Sequence, residues 1–286
     1  MSGTMIDDGQ SNENRPPRNG IVQWFTKLLD PKAIRTIIIT IISLIAFVVF
    51  WQVLSTALNS EFLPPPGKVF DAFITVFQGP DPATGLSMWN HIWASLQRFI
   101  LGFALAFVIA VPLGLIMGFS KIAEDFGKPI VEIFRPIPPI AWIPFLLIVL
   151  GSIAGPVVAI FIGVFFPVLS NVIFGVKSVD PILMDAARTL GSSKPTLFRK
   201  VIFPSTVPYL MTGITIGLGI GWMCIVAAEF FGARGGGVGQ YIIQQSNIGK
   251  WDFMFAGLIV IAILGLVTTG FSRFIEKRVS KWMGQM

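Results

Sequence analysis

Few side chains in this 286-residue sequence are of a kind that could do covalent chemistry. The one cysteine, Cys224, sits inside an apolar run, so neither an internal disulfide nor a thiolate metal cluster can form. The one histidine, His91, stands between Trp89 and Trp93 and reads as a solvated or interfacial ring rather than a metal ligand. No Ser/His pair, zinc signature or carboxylate pair falls within an apolar stretch, which leaves an intramembrane enzyme without its parts. The glycine-rich run 232–239 invites a phosphate-loop reading, but no Gly-Lys-Ser/Thr follows it and no strand precedes it. Gly249-Lys250 leads into Trp251 and is no nucleotide-binding lysine either. What remains are polar groups in or beside apolar stretches: Arg98, Arg135 and Glu229 near their ends, and Trp142, Asn171 and Thr215 within them. Ionisable groups in such places are expensive and mark solute pathways or salt bridges. Arg135, Trp142, Asn171, Thr215 and Glu229 are therefore the candidate pathway residues, with a structural salt bridge or hydrogen bond the ordinary alternative for the charged ones.

The elements that would position these groups are membrane helices. The chain is 53% hydrophobic and 13% charged, about half the charge of a soluble domain, which carries roughly 25%. Six apolar stretches of spanning length stand out, at about Ile37–Leu58, Leu96–Phe119, Ile130–Leu150, Pro156–Val176, Pro208–Phe231 and Phe253–Phe271. The third is irregular, because Pro136, Pro138, Pro139 and Pro144 interrupt its helical ladder. Of the 21 basic residues, 17 fall in the segment before the first stretch, the loops after the second and fourth, and the segment after the sixth. Only Lys68, Arg98, Arg234 and Lys250 lie on the other side. The excess of Lys and Arg in cytoplasmic loops then predicts a multi-pass protein of the cytoplasmic membrane with both termini inside. It also accounts for the net charge of +6 without invoking nucleic acid.

The expected organisation is a polar cytoplasmic tail over residues 1–33, a membrane domain over 34–275 and a short cytoplasmic tail over 276–286. The opening twenty residues have no apolar core and do not read as a cleaved signal, and Ile21–Leu29 is a candidate interfacial helix. No soluble ATPase or solute-binding domain fits in the chain. Gly213, Gly217 and Gly221 recur every fourth residue, as do Gly114 and Gly118, and Gly155, Ala159 and Gly163. Such ridges let helices approach closely in lipid. Packing within the chain is the ordinary reading; contact between copies or movement at a gate is the other.

The most informative stretch is the inner-side loop at about 178–204. Asp180-Pro181 can start a helix. Ala186 and Ala187 are small enough for a partner surface to come close, and Gly191 can take the left-handed conformation that stops the helix. A second helix from about Pro195 leads to Pro204 at the next span. A short helix lying across the inner face is a lever between an external motor and the spans behind it.

Asp185-Ala186-Ala187, then Gly191, then Val201, Phe203 and Pro204 resemble the EAA loop of binding-protein-dependent ABC importer permeases. Asp185, Val201 and Phe203 replace that pattern's Glu, Ile and Leu. Residues 135–144, Ser95-Leu96-Gln97-Arg98, and Ala228-Glu229 followed by Gly236-Gly237-Val238-Gly239 are similar to the sulfonate, nitrate, taurine and bicarbonate subgroup. The resemblance covers about Glu61 to the C-terminus. It implies an all-α type I importer transmembrane domain with six spans and no enzymatic activity of its own. Asp185, Ala186, Ala187, Gly191 and Pro204 would couple it to two separate ATP-binding cassette subunits, which bind the ATP and magnesium; this chain needs no cofactor. A second permease copy and an extracytoplasmic substrate-binding protein would complete the importer, whose solute is a small oxoanion. The rival reading is an ATPase-independent channel or secondary transporter, for which Glu229 alone is a thin supply of intramembrane charge.

Overall fold

A computed structural model describes residues 31–82 and 84–282, with side chains described for 34–82 and 84–279. The expected interfacial helix at Ile21–Leu29 and the tail before it lie outside that range. Every named element among the described residues is helical. The chain divides into two units, residues 1–60 and 61–286. The first holds α1 (Pro31–Leu58). Apolar side chains cover all faces of this helix, as a helix surrounded by lipid requires.

The second unit begins with the short α2 (Pro66–Thr75), started by the proline run 64–66. It continues with α3 (Met88–Phe119), capped by Ser87, whose side chain accepts from the Asn90 amide at 3.3 Å. The amphipathic α4 (Lys121–Phe134) and a 3-10 turn (Pro139–Trp142) lead into α5 (Ile143–Lys177). A short α6 (Pro181–Thr189) follows. Next, α7 (Lys194–Leu197) runs through a π turn (Phe198–Ile202) into α8 (Phe203–Phe230). The chain then forms α9 (Val238–Asn247) and α10 (Trp251–Trp282).

Five helical runs among the described residues are long and apolar enough to cross a membrane, where six spans were expected. The difference lies in the expected third span, Ile130–Leu150, which is not one helix. It consists of the end of α4, the 3-10 turn and the first two turns of α5. Proline supplies no backbone donor and disfavours helical geometry in the residue before it, so the ladder cannot run through 136–139. A second break follows at Gly151, where φ is 76° and ψ 176° within α5. The number of passages survives the broken helix. α3 and α5 lie side by side in the same direction, since Gly102 meets Ile160, Gly114 meets Val172 and Gly118 meets Val176. Both helices end at the same side, hereafter the loop end. Residues 120–150 must therefore carry the chain back to the far end between them.

What brings these helices together is the absence of side chains. A Cβ on Gly102 would lie 2.6 Å from the Val157 carbonyl oxygen, and one on Gly114 2.8 Å from Val172. On the other side of α5, Gly213 and Gly217 of α8 face Val168 and Val164 at 3.0–3.1 Å. Gly163 and Gly175 of α5 receive Cys224 and Tyr209 of α8 in return. These are the small-residue ridges of the sequence, and they pack within the chain. Trp222 then ties three helices, stacking on Phe99 of α3 at 4.6 Å and donating its Nε1 hydrogen to Thr268 of α10 at 3.0 Å.

Replacing Gly102 with Leu should push α3 from α5 and destabilise the bundle by about 1–3 kcal/mol or more, as overpacking does. Gly219→Ala, where a Cβ meets nothing within 4 Å, should leave stability unchanged or raise it by up to about 1 kcal/mol. Thermal unfolding of the purified variants in detergent distinguishes the two.

Candidate functional site

At the loop end, α6 is defined by its caps. The Asp180 carboxylate accepts from the Ile182 amide at 2.8 Å, and Pro181 occupies the first turn. At the other end Gly191 takes φ +78°. Its amide donates to the Arg188 carbonyl at 2.9 Å, while the Ser192 amide donates back to Ala187 at 3.0 Å. This paired closure needs a left-handed residue, which glycine supplies without steric cost. Asp185 pairs with Arg188 of the same helix at 3.1 Å, with both side chains exposed. A shorter Asp in place of Glu therefore still finds an ionic partner within α6.

The two alanines do not share a face. Ala187 and Met184 pack inward on a small core of Val176, Val179, Leu197 and Ile202. Ala186 points outward with Ile182, Leu183 and Leu190, which are 75%, 54% and 86% exposed. Ala187 thus packs on the helix's own bundle, and Ala186 belongs to the free face. The sequence signal for that face was the four-residue spacing of Ile182, Ala186 and Leu190, with Leu183 beside them. Pro204 stands in the first turn of α8, following the π turn and continuous with α7. Lys177, at the end of α5, forms an ion pair with Glu124 of α4, so the root of α6 is also tied to the segment 120–150.

A second polar cluster lies at the far end. Glu229 is 1% exposed and accepts from Ser95 Oγ at 2.8 Å, Arg98 Nη1 at 2.9 Å and the Gly239 amide at 2.8 Å. Arg98 also donates to the carbonyls of Gly236 at 2.7 Å and Arg234 at 2.6 Å. The Val238 amide donates to Ser95 Oγ at 2.9 Å. His91 is fully buried rather than solvated, with Nδ1 2.9 Å from the Gly237 carbonyl oxygen and 3.1 Å from the Gly237 nitrogen. The glycine-rich run is clamped against α3. Gly237 adopts φ +145°, and a Cβ there would fall 2.3 Å from the Glu229 carboxyl carbon. The glycines thus admit the carboxylate rather than a phosphate.

The other candidate pathway residues lie apart. Arg135 is exposed at the end of α4. Trp142 sits between Phe134 and Phe145, with centroids 6.3 and 6.2 Å away. Asn171 donates to the Pro167 carbonyl at 2.8 Å on the α5 surface facing Gly213. The Thr215 hydroxyl is buried without a hydrogen-bond partner among the described residues. No hydrogen bond, ion pair or ring contact joins any two of Arg135, Trp142, Asn171, Thr215 and Glu229. No group of three or more His, Cys, Asp or Glu among the described residues could hold a metal ion.

The fold and these two sites define a class: a multi-pass helical membrane subunit with a capped surface helix at one end and a charge-clamped loop at the other. Comparison with known proteins sharpens it. Residues 110–281 match the family described as the binding-protein-dependent transport system inner membrane component. A putative ABC transporter permease protein of Methanocaldococcus jannaschii is 38% identical, over 84% of this chain and 90% of its own length. The taurine transport system permease protein of Escherichia coli is 34% identical, over 83% and 86%. A nitrate import permease protein of Synechocystis is 33% identical, over 88% and 91%. Among solved structures, a methionine ABC transporter in an inward-facing conformation superposes with a TM-score of 0.58 at 25% identity, over 67% of this chain and 97% of that one. The chain belongs to the binding-protein-dependent ABC importer permeases, of the taurine, nitrate and sulfonate type. It is a transport subunit rather than an enzyme, and an importer of this family works with ATPase and substrate-binding partners.

Glu229→Ala should leave Arg98 and Ser95 facing an empty buried site and lower stability by about 3–5 kcal/mol, the usual cost of breaking a buried pair from one side. The apparent melting temperature of the purified protein should fall by several degrees. Retention of the wild-type value would remove the clamp from the account.

Proposed function

We propose that this chain imports a small oxoanion, such as a sulfonate, taurine, nitrate or bicarbonate, by alternating access driven by ATP hydrolysis on two separate subunits. The observation that carries the coupling is α6. It is capped at both ends and hung between the end of α5 and the start of the α7–α8 run. It presents Ile182, Leu183, Ala186 and Leu190 to the surface. An apolar face left uncovered beyond the membrane-spanning helices is an unfilled interface. A cleft in the ATPase subunit covers it, and closure of two ATPases on ATP draws two such helices together. Asp185, Ala186 and Leu190 meet the partner; Ala187, Gly191 and Pro204 fix the helix relative to the bundle.

Two copies of the chain pair, and solute passes between them from a binding protein docked at the far end. Both termini are cytoplasmic, a reading supported by the distribution of basic residues. The third of six passages is the composite segment 120–150. Arg135, Trp142, Asn171 and Thr215 remain candidate pathway positions. The unpartnered Thr215 hydroxyl is the one most in need of a hydrogen bond that a solute or water would supply. Glu229, already satisfied by three donors, holds the outer loop in place. The oxoanion class is supported by the taurine and nitrate permeases among the relatives.

Ala186→Arg should insert and fold normally yet lose at least about tenfold in co-purification with the ATPase subunits and in solute-stimulated ATP hydrolysis. Gly191→Trp forces a bulky residue into the left-handed conformation and should abolish uptake while leaving membrane insertion intact. Wild-type uptake in both variants would overturn the coupling role.

A further inference from the structure

We infer that the membrane face formed by α3, α8 and α10 holds a specific anionic phospholipid, with its phosphate on Arg199 and Lys200. The three helices leave an apolar groove of about 850 Å³ between them. Phe99, Phe103 and Phe107 of α3, Phe203 and Ile214 of α8 and Phe271 of α10 are among its walls. The lining residues of α8 extend from Phe203 to Leu218, about 22 Å along a helix axis, which exceeds one leaflet's share of the roughly 30 Å hydrocarbon layer. An extended acyl chain fits that length, and so apolar a cleft does not hold water. Ser272 lines the groove near its loop end. It is 4% exposed, and its hydroxyl has no hydrogen-bond partner among the described residues.

The groove's loop end is cationic. Arg199 and Lys200, with Pro195 and Thr196, surround a polar hollow of about 400 Å³. They precede the groove residues Phe203 and Pro204 by one helical turn. Neither Arg199 nor Lys200 forms an ion pair among the described residues. A hollow of headgroup size carrying unpaired Arg and Lys, one helical turn before the end of an acyl-length apolar groove, matches a phosphodiester with its tails attached. Basic pockets between membrane helices on the cytoplasmic side are where anionic headgroups bind. That this end faces the cytoplasm rests on the topology proposed above; the chemistry of the site does not.

The test is native mass spectrometry of the full chain with its ATPase partners, released from nanodiscs of equal phosphatidylglycerol and phosphatidylcholine. At least one phosphatidylglycerol per chain should be retained, with about fivefold or greater preference over phosphatidylcholine. Ile214→Trp, which fills the groove, should lose the retained lipid. Arg199→Gln with Lys200→Gln should keep lipid but bring the preference to about one. Equal retention of the two lipids by the wild type, or unchanged preference in the double variant, overturns the proposal. So does efficient cross-linking of Leu210→Cys to a protein segment lying in the groove. Because the readout is bound lipid rather than uptake, failure here leaves the coupling proposal standing, and failure of coupling leaves this one standing.

Discussion

Everything in the membrane unit depends on how closely α5 is held by its two neighbours. In lipid, apolar surface gains little by turning from acyl chains to another helix, so association rests on van der Waals packing at short range. Gly102, Gly114 and Gly118 bring α3 against one side of α5, and Gly213 and Gly217 bring α8 against the other. The α5–α8 interface is the most extensive between helices among the described residues of this unit. With both flanks filled to contact distance, α5 cannot slide without displacing α3 and α8. The loop helix α6 links the end of α5 to the start of the α7–α8 run, so the proposed pull on it is delivered to the two helices that share the tightest surface.

Charge does at the far end what glycine does in the middle. Arg98, Ser95 and Glu229 form a buried polar set in which each group has its partner, and the loop 232–239 is wrapped over it. A buried ion pair is weak evidence for net stability but strong evidence for a defined geometry, since removing either partner leaves an uncompensated charge. The clamp fixes the direction in which α8 gives way to α9, and α9 in turn packs on α2 and α10 through Val238, Tyr241 and Ile242. The far-end surface, where the proposed function places the binding protein, is thereby built on the same helix that begins beside α6.

Much of this was legible in the sequence because lipid imposes simple rules. Long apolar runs and four-residue glycine spacing announced the membrane helices and the packing ridges. Asp180 and Gly191 bounded α6 before any coordinates, since capping is local chemistry. Where the reading failed, the deciding interaction was distant in sequence. His91 and Gly237 are 146 residues apart, and nothing near His91 announces that it is buried. The prolines at 136–139 signalled an irregular third span but not its division into the end of α4, a 3-10 turn and the first turns of α5. Ala186 and Ala187 look equivalent as neighbours; only the core of Val176, Val179, Leu197 and Ile202 tells them apart.

The central claim is that the outward face of α6 is gripped by a nucleotide-hydrolysing subunit. A photo-reactive amino acid placed at position 190, whose side chain is 86% exposed, tests it most directly in intact membranes. The account requires an ultraviolet-induced adduct with the ATPase subunit whose yield changes with ATP. An adduct with the extracytoplasmic binding protein, or none with any ATPase in either nucleotide state, would contradict it.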